Sequence, residues 1–440
     1  MRNLVPFASM TAAVIATVAA PVVAAPAAAV PAPRETVEAV AKAIDETFYD
    51  AAKASRIAAD LRAEAARGAY DAFDDPRVLA VELTRRLKPL DAHFNVEWRA
   101  PAEAPTALSA GPGSTPPPQM ARPQGDPQRR ANYGFRRVEI LPGNLGYIDM
   151  RMFAGFDFAD DKAPARRAAD AALSLVSGAD AVIIDLRGNG GGSPAMVGYL
   201  SSAFTRPGAD IYNTFHSREG TESEAPLKSH PMPNLDVPLY ILISGRTGSA
   251  AEAFAYTMKN AGRAVVVGEA SAGAANPGGT ARLPGGFVVF ISDGSPRSPV
   301  TGTNWEGTGV VPDVAVPSAD ALAAAQRLAL EGSAKRLAGP MRTEAEWALA
   351  ALTQAPAGGV ALAEFTGDYS GLKVTAQGDR LRIVRGRRPA QIFVPMGGDL
   401  FRDASDPATR VRFQRDGSGK PSALEILFPD GPGPLYRRGA

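Results

Sequence analysis

Residues 181–193 read AVIIDLRGNGGGS, an apolar run that ends in Asp185 and Arg187 and passes directly into Gly188, Gly190, Gly191 and Gly192. A run with no polar alternation is a strand buried on both faces, and such strands belong in a sheet covered by helices. Glycine permits close backbone approach and unusual dihedrals, so the loop that follows can aim amides at an oxyanion or a phosphate. The phosphate reading is the weaker one, because GxGxxG is not completed and no lysine follows as in a P-loop.

Working outward, LGYIDMRMF (145–153), LYILIS (239–244) and AVVVGE (264–269) are strands of the same kind, separated by helical stretches at 163–176, 196–204 and 250–260. This alternation predicts an α/β core over 132–335. Upstream, Val37, Val40, Ile44 and Phe48, then Ile57, Leu61 and Ala65, then Leu79, Leu83 and Leu87 fall at helical spacing. They predict an N-terminal helical domain over 33–98, with Gly68 ending its second helix and Asp75-Pro76 opening its third. Between them, 99–131 is rich in Pro, Gly, Ala and Ser, with too little apolar mass to pack, and reads as a linker. After the core, a helical connector reaches 359. Residues 360–440 then show short alternating segments with Gly-Asp and Asp-Gly turns, predicting a separate small all-β domain, a sandwich or half-barrel.

The chain opens with Arg2, an apolar stretch and a run of small residues, the order of a secretory signal peptide over 1–29, which makes the mature protein periplasmic or otherwise extracytoplasmic with no integral membrane segment. Among its 440 residues, 47 Lys and Arg stand against 46 Asp and Glu, so no field draws the chain to nucleic acid. Cysteine is absent, which removes disulfides, thiolate metal sites and a cysteine nucleophile. The three histidines, His93, His216 and His230, lack HExxH spacing, so neither a metal nor another cofactor is expected.

A hydrolase without cysteine or metal needs Ser or Thr as nucleophile, a base, and donors for the oxyanion. Ser249 follows the strand LYILIS and the turn GRTG and opens the helix AAEAFAYTMKN, where free backbone N–H groups favour negative charge. Spacing alone equally makes Ser249-Ala-Ala-Glu252 a capping box, in which the serine only closes the first turn.

Four segments in order, DLRGNGGGS, SGRTGSAAEAFAY, GRAVVVGEASAGAANPGG and TNWEGTGVVPDV, together with LDAHFNVEW and NYGFRRVEILPGNLGYIDM upstream, resemble the tail-specific (C-terminal processing) serine peptidase family. Within it they are most similar to the branch of the tricorn core protease and the interphotoreceptor retinoid-binding protein. The resemblance implies a core of the crotonase/ClpP-like type built from ββα units, and a polypeptide substrate. It implies Ser249 as nucleophile, His93 as general base and Glu306 as the acidic member. The oxyanion hole would come from the amides of Ala250 and Gly191, with Gly190, Gly192 and Asn276 lining the substrate cleft. No lysine occurs in GEASAGAANPGG, where the Ser-Lys branch carries its base, and Ala92 stands where the tricorn pattern has a serine. Lys259, in the helix after Ser249, is expected to reach solvent, and Asp185 with Arg187 to form scaffold. The retinoid-binding branch supplies the alternative, a non-catalytic binder of an apolar ligand or peptide, and the C-terminal β domain is a candidate surface for a protein partner.

Overall fold

The computed structural model describes residues 31–100, 127–157 and 160–439. The signal-peptide reading of 1–29 and most of the proline-rich stretch lie outside the described residues. None of the described helices is long and apolar enough to cross a membrane.

Three helices, Pro33–Thr47, Ala51–Ala66 and Pro76–Leu87, begin the described chain. Asp50 and Asp75 cap the second and third by accepting the N–H of Lys53 and of Arg77. Gly68 follows the second in the left-handed region (φ 79°), the conformation that ends a helix most cheaply when no Cβ is present.

The central sheet has six strands in the order Val314–Ala315, Ala264–Gly268, Leu239–Ile243, Ala181–Asp185, Leu145–Met150, Phe135–Leu141. All neighbours are parallel except the last pair, a hairpin. Alternate residues of each strand serve opposite faces. Ile148, Val182, Ile184, Ile241, Ile243 and Val266 pack with helices Pro164–Leu175, Pro194–Ser202 and Ala250–Asn260. Tyr147, Ala181, Ile183, Tyr240, Leu242 and Val267 pack with Ala321–Arg336 and Gly339–Thr353. Both faces are dry, which is why the strand sequences show no polar alternation. The last two helices of this layer are separate, the chain breaking before Gly339 (φ 57°) and Pro340.

Two three-stranded sheets flank the core. In one, Asn95–Trp98 pairs antiparallel with Phe287–Ser292, which pairs in turn with Gly278–Arg282. Phe287, Val289 and Ile291 thereby join the core of the N-terminal helices beside Phe48 and Phe94. The other is formed by Gly294–Arg297, Thr214–Ser217 and Thr221–Ser223.

Residues 367–437 form an eight-stranded antiparallel meander. A bridge between Tyr369 and Arg438 joins its two ends. The unit is therefore a closed barrel, not the sandwich or half-barrel that the sequence predicts. Its core of Phe365, Tyr369, Phe393, Phe401 and Phe413 is its own. Sandwich and barrel both bury one face of each strand, so their sequence alternation is the same.

Candidate active site

Strands 181–185 and 239–243 are neighbours and parallel, so the loops leaving their carboxyl ends adjoin. Side chains and backbone lock the two loops together. The Thr247 hydroxyl donates to the Leu186 carbonyl (2.8 Å), the Ser244 hydroxyl to the Arg187 carbonyl (2.7 Å), and the Gly248 N–H to the Asn189 carbonyl (3.1 Å). Asp185 pairs with Arg187 at 2.6 Å and accepts from the Tyr147 hydroxyl at 2.7 Å. At Gly191 (φ 111°), a Cβ would stand 2.7 Å from the Ser249 Cβ and 2.8 Å from the Gly248 carbonyl oxygen. Only glycine lets the loop pass this close to the serine.

Ser249 has φ 51° and ψ −122°. An ordinary N-cap residue lies in the β region, whereas this conformation falls outside every region open to a β-carbon without strain. Capping alone does not require it. The Glu252 carboxylate, fully buried, holds the turn in place by accepting four donors. These are the N–H of Ser249 (2.8 Å), of Gly273 (2.6 Å) and of Ala274 (2.9 Å), and the Ser271 hydroxyl (2.5 Å).

His93 reaches this place through sheet pairing. Two residues beyond it, Asn95 pairs with Phe290, and the His93 and Phe290 rings stack at 5.9 Å. His93 Nδ1 lies 3.4 Å from Asp91 Oδ1 and 3.7 Å from Glu306 Oε2. Both carboxylates are fixed by the backbone. Asp91 accepts the His93 N–H (2.9 Å) and the Asn276 side-chain amide (2.9 Å). Glu306 accepts the N–H of Ala275 (2.7 Å), Asn276 (3.0 Å) and Ala92 (3.3 Å). Burial alone would lower the pKa of His93, but the Asp91 and Glu306 charges outweigh it and raise it above the ordinary value. Burial of Asp91 works against its charge, yet His93, Asn276 and the backbone hold it below the usual carboxylate range.

A cleft of about 290 Å³ is lined by Ser249, His93, Ala250, Gly192, Asn276 and Trp305, among others. Of the residues expected at the site, the structure brings these into one cavity, with Glu306 directly behind His93. Gly190 sits at the exposed rim against Gly248 and is not part of the lining. The Gly191 N–H is engaged by the Asn189 side-chain oxygen (2.9 Å), so this glycine supplies close approach and not a free donor. At Gly192, the bridge to Phe153 uses the carbonyl of Gly191 (2.9 Å) and the N–H of Ser193 (2.7 Å). The N–H of Gly192 itself is left on the opposite side of that bridge. Lys259 is a quarter exposed to solvent, pairs there with Asp313 (3.0 Å) and the Val311 carbonyl (2.6 Å), and is not among the residues lining the cleft.

Residues 144–316 match the sequence model of peptidase family S41. The match spans most of the α/β core, which is thus similar to that family. Solved structures with a similar course include a lipoprotein from Streptococcus agalactiae, at 16% identity over 69% of this chain and 97% of that one, TM-score 0.45. A Parabacteroides merdae protein matches at 18% identity over 70% and 100%, TM-score 0.47. The photosystem II D1 C-terminal processing protease matches at 16% identity over 66% and 94%, TM-score 0.41. The chain is a serine-type hydrolase acting on polypeptides.

Two residues at this site are absent from the sequence-based set. Asp91 is nearer to His93 than Glu306 is, and the signal for it is an acid two residues before the histidine, inside LDAHF. Glu252 reads as a cap in the sequence, but its four donors come from two segments that only the fold brings together. Asp91, His93 and Glu306 place potential ligand atoms within 4.8 Å of one another, close enough for a cation. Their lone pairs, however, are largely taken by the protein donors already named, which suits an arrangement that orients an imidazole.

Proposed function

We propose that this S41 peptidase cleaves polypeptides through an acyl-enzyme on Ser249, with His93 as general base. The observation that carries the proposal is the strained turn of Ser249 opening into the same cleft as His93. Ser249 Oγ attacks the scissile carbonyl while His93 Nε2 takes its proton and then returns it to the leaving amine. Asp91 and Glu306, facing Nδ1, stabilise the imidazolium and fix its tautomer. Developing negative charge on the carbonyl oxygen is met by the N–H of Ala250 at the helix N-terminus, and the orientation of Gly192 supports its amide as the second donor in place of Gly191. Water then repeats the sequence on the acyl-enzyme.

The order of strand, glycine loop and helix supports reading the core as crotonase/ClpP-like, spanning 132–335 between a helical domain at 33–98, a linker at 99–131, and a connector at 336–359 that leads to the β domain at 360–440. The leader sequence supports an extracytoplasmic location, and the barrel offers a surface for a protein partner. Hydrolysis of casein by the signal-less protein tests the catalytic reading. We expect Ser249→Ala to abolish it, and undiminished hydrolysis would refute Ser249 as the nucleophile.

A further inference from the structure

One charged side chain in the cleft has no part in the chemistry above. Glu224 follows the short strand Thr221–Ser223, is 4% exposed, and lines the same cavity as Ser249. Its Oε2 accepts from the Asn213 side chain at 2.8 Å, while Oε1 is buried and meets no donor among the described residues. The segment is held deep by Gly198, where a Cβ would stand 2.1 Å from the Glu224 carbonyl oxygen, so helix Pro194–Ser202 admits it only because that position is glycine. Helix Ala250–Asn260 adds Ala250 and Ala253 to the lining of the same cavity, one turn apart and each with a side chain no larger than a methyl group. Phe215 and Pro194 form apolar walls. The result is a cavity shared by Ser249 and Glu224, with apolar walls and a buried carboxyl group in its lining.

We propose that this pocket takes the side chain on the acyl side of the scissile bond, and that Glu224 selects lysine or arginine there. The inference rests on the peptidase reading above. A buried carboxylate without a cation is costly, and a substrate ammonium or guanidinium threading past the two alanines supplies the missing charge and the donors that Oε1 lacks. Burial, only partly offset by the Asn213 hydrogen bonds, pushes the Glu224 carboxyl up to about 7, as expected of an acid awaiting its counter-ion. A neutral side chain leaves that group unpaired, and sites built this way reject such substrates strongly.

The test uses fluorogenic peptides that differ only at that residue: Lys, Arg, Gln, Leu, Ala and Glu. The wild-type protein should cleave the Lys and Arg peptides with kcat/KM at least about tenfold above Leu and Ala. Glu224→Gln, which is isosteric, should erase that preference while leaving Ala and Leu within about threefold. A wild-type preference for Leu, Ala or Gln, or an equal loss on every peptide in Glu224→Gln, would overturn the proposal. Calorimetric binding of the same peptides to Ser249→Ala reads the pocket independently of turnover. Tighter binding of Lys than Leu there, abolished by adding Glu224→Gln, supports the pocket even if the catalytic assignment fails, and equal binding of the two contradicts it.

Discussion

In the proposed mechanism His93 is the base, and two carboxylates from different parts of the chain set its affinity for protons. Its pKa is raised because Asp91 and Glu306 outweigh burial, and catalysis requires the neutral imidazole. Activity should therefore rise with pH through a midpoint above about 6.5, the unperturbed value for histidine. The stability that the His93 charge contributes runs the other way: it is present below about 6.5 and is lost as pH climbs through the folded pKa. Replacing Asp91 by Asn preserves an acceptor for the His93 N–H but removes a charge facing the ring. The kcat/KM profile of Asp91→Asn should shift its rising limb to lower pH, and the rate on its plateau should fall, because the imidazolium is less stabilised. An unmoved limb would mean that Glu306 alone sets the base. Ala92, which departs from the pattern of the resembling branch, holds Glu306 through its backbone N–H, a bond that does not depend on the side chain at this position.

The turn at 244–249 and the loop at 271–274 are separate elements tied together by one buried carboxylate. Glu252 accepts four donors, three of them backbone N–H groups. In Glu252→Gln an amide group would face N–H donors, and hydrogen bonds to charged groups are worth about 1.5–3 kcal/mol each. We expect a fall in stability on the order of 3 kcal/mol, measured by urea unfolding, together with a loss of kcat larger than any change in KM. A stable and fully active variant would show that the turn holds itself. At this scale the sequence was legible wherever an element is local. The four inner strands of the core sheet, the Ala250–Asn260 helix and the Asp75 and Gly68 caps follow from periodicity and capping chemistry. Elements that exist only through pairing were not. The strand Asn95–Trp98 is four residues long and stands only because Phe287–Ser292 accepts it, and the sheet at 214–223 carries too little apolar patterning to announce itself. Asp91, Glu224 and the linking role of Glu252 were hidden for the same reason, since their partners are distant in sequence.

At the scale of the whole molecule, the site is assembled between two cores that share one sheet. The segment after the N-terminal helices brings His93, the proposed base, and the α/β core brings Ser249, the proposed nucleophile, into one cavity. The barrel lies elsewhere, meeting the connector helix through Arg410, which stacks over Trp347 at 3.9 Å, and none of its residues lines the cleft. Its core is self-contained, so a chain ending at Gly359 should keep peptide hydrolysis within about threefold of the full chain, and collapse of activity on truncation would place the barrel in the catalytic unit. The closure of that barrel was beyond the sequence, because it depends on a contact between Tyr369 and Arg438 at opposite ends of the meander. The central claim is that a serine of one core is activated by a histidine of the other. Its most direct test is the rate at which a fluorophosphonate modifies the protein, followed by intact mass with the adduct mapped by peptide sequencing. A single adduct on Ser249 is predicted, forming faster as pH rises through a midpoint above about 6.5, and slowed by ~10²–10⁴ in His93→Ala. An adduct on another residue, or an unchanged rate in His93→Ala, would contradict the account.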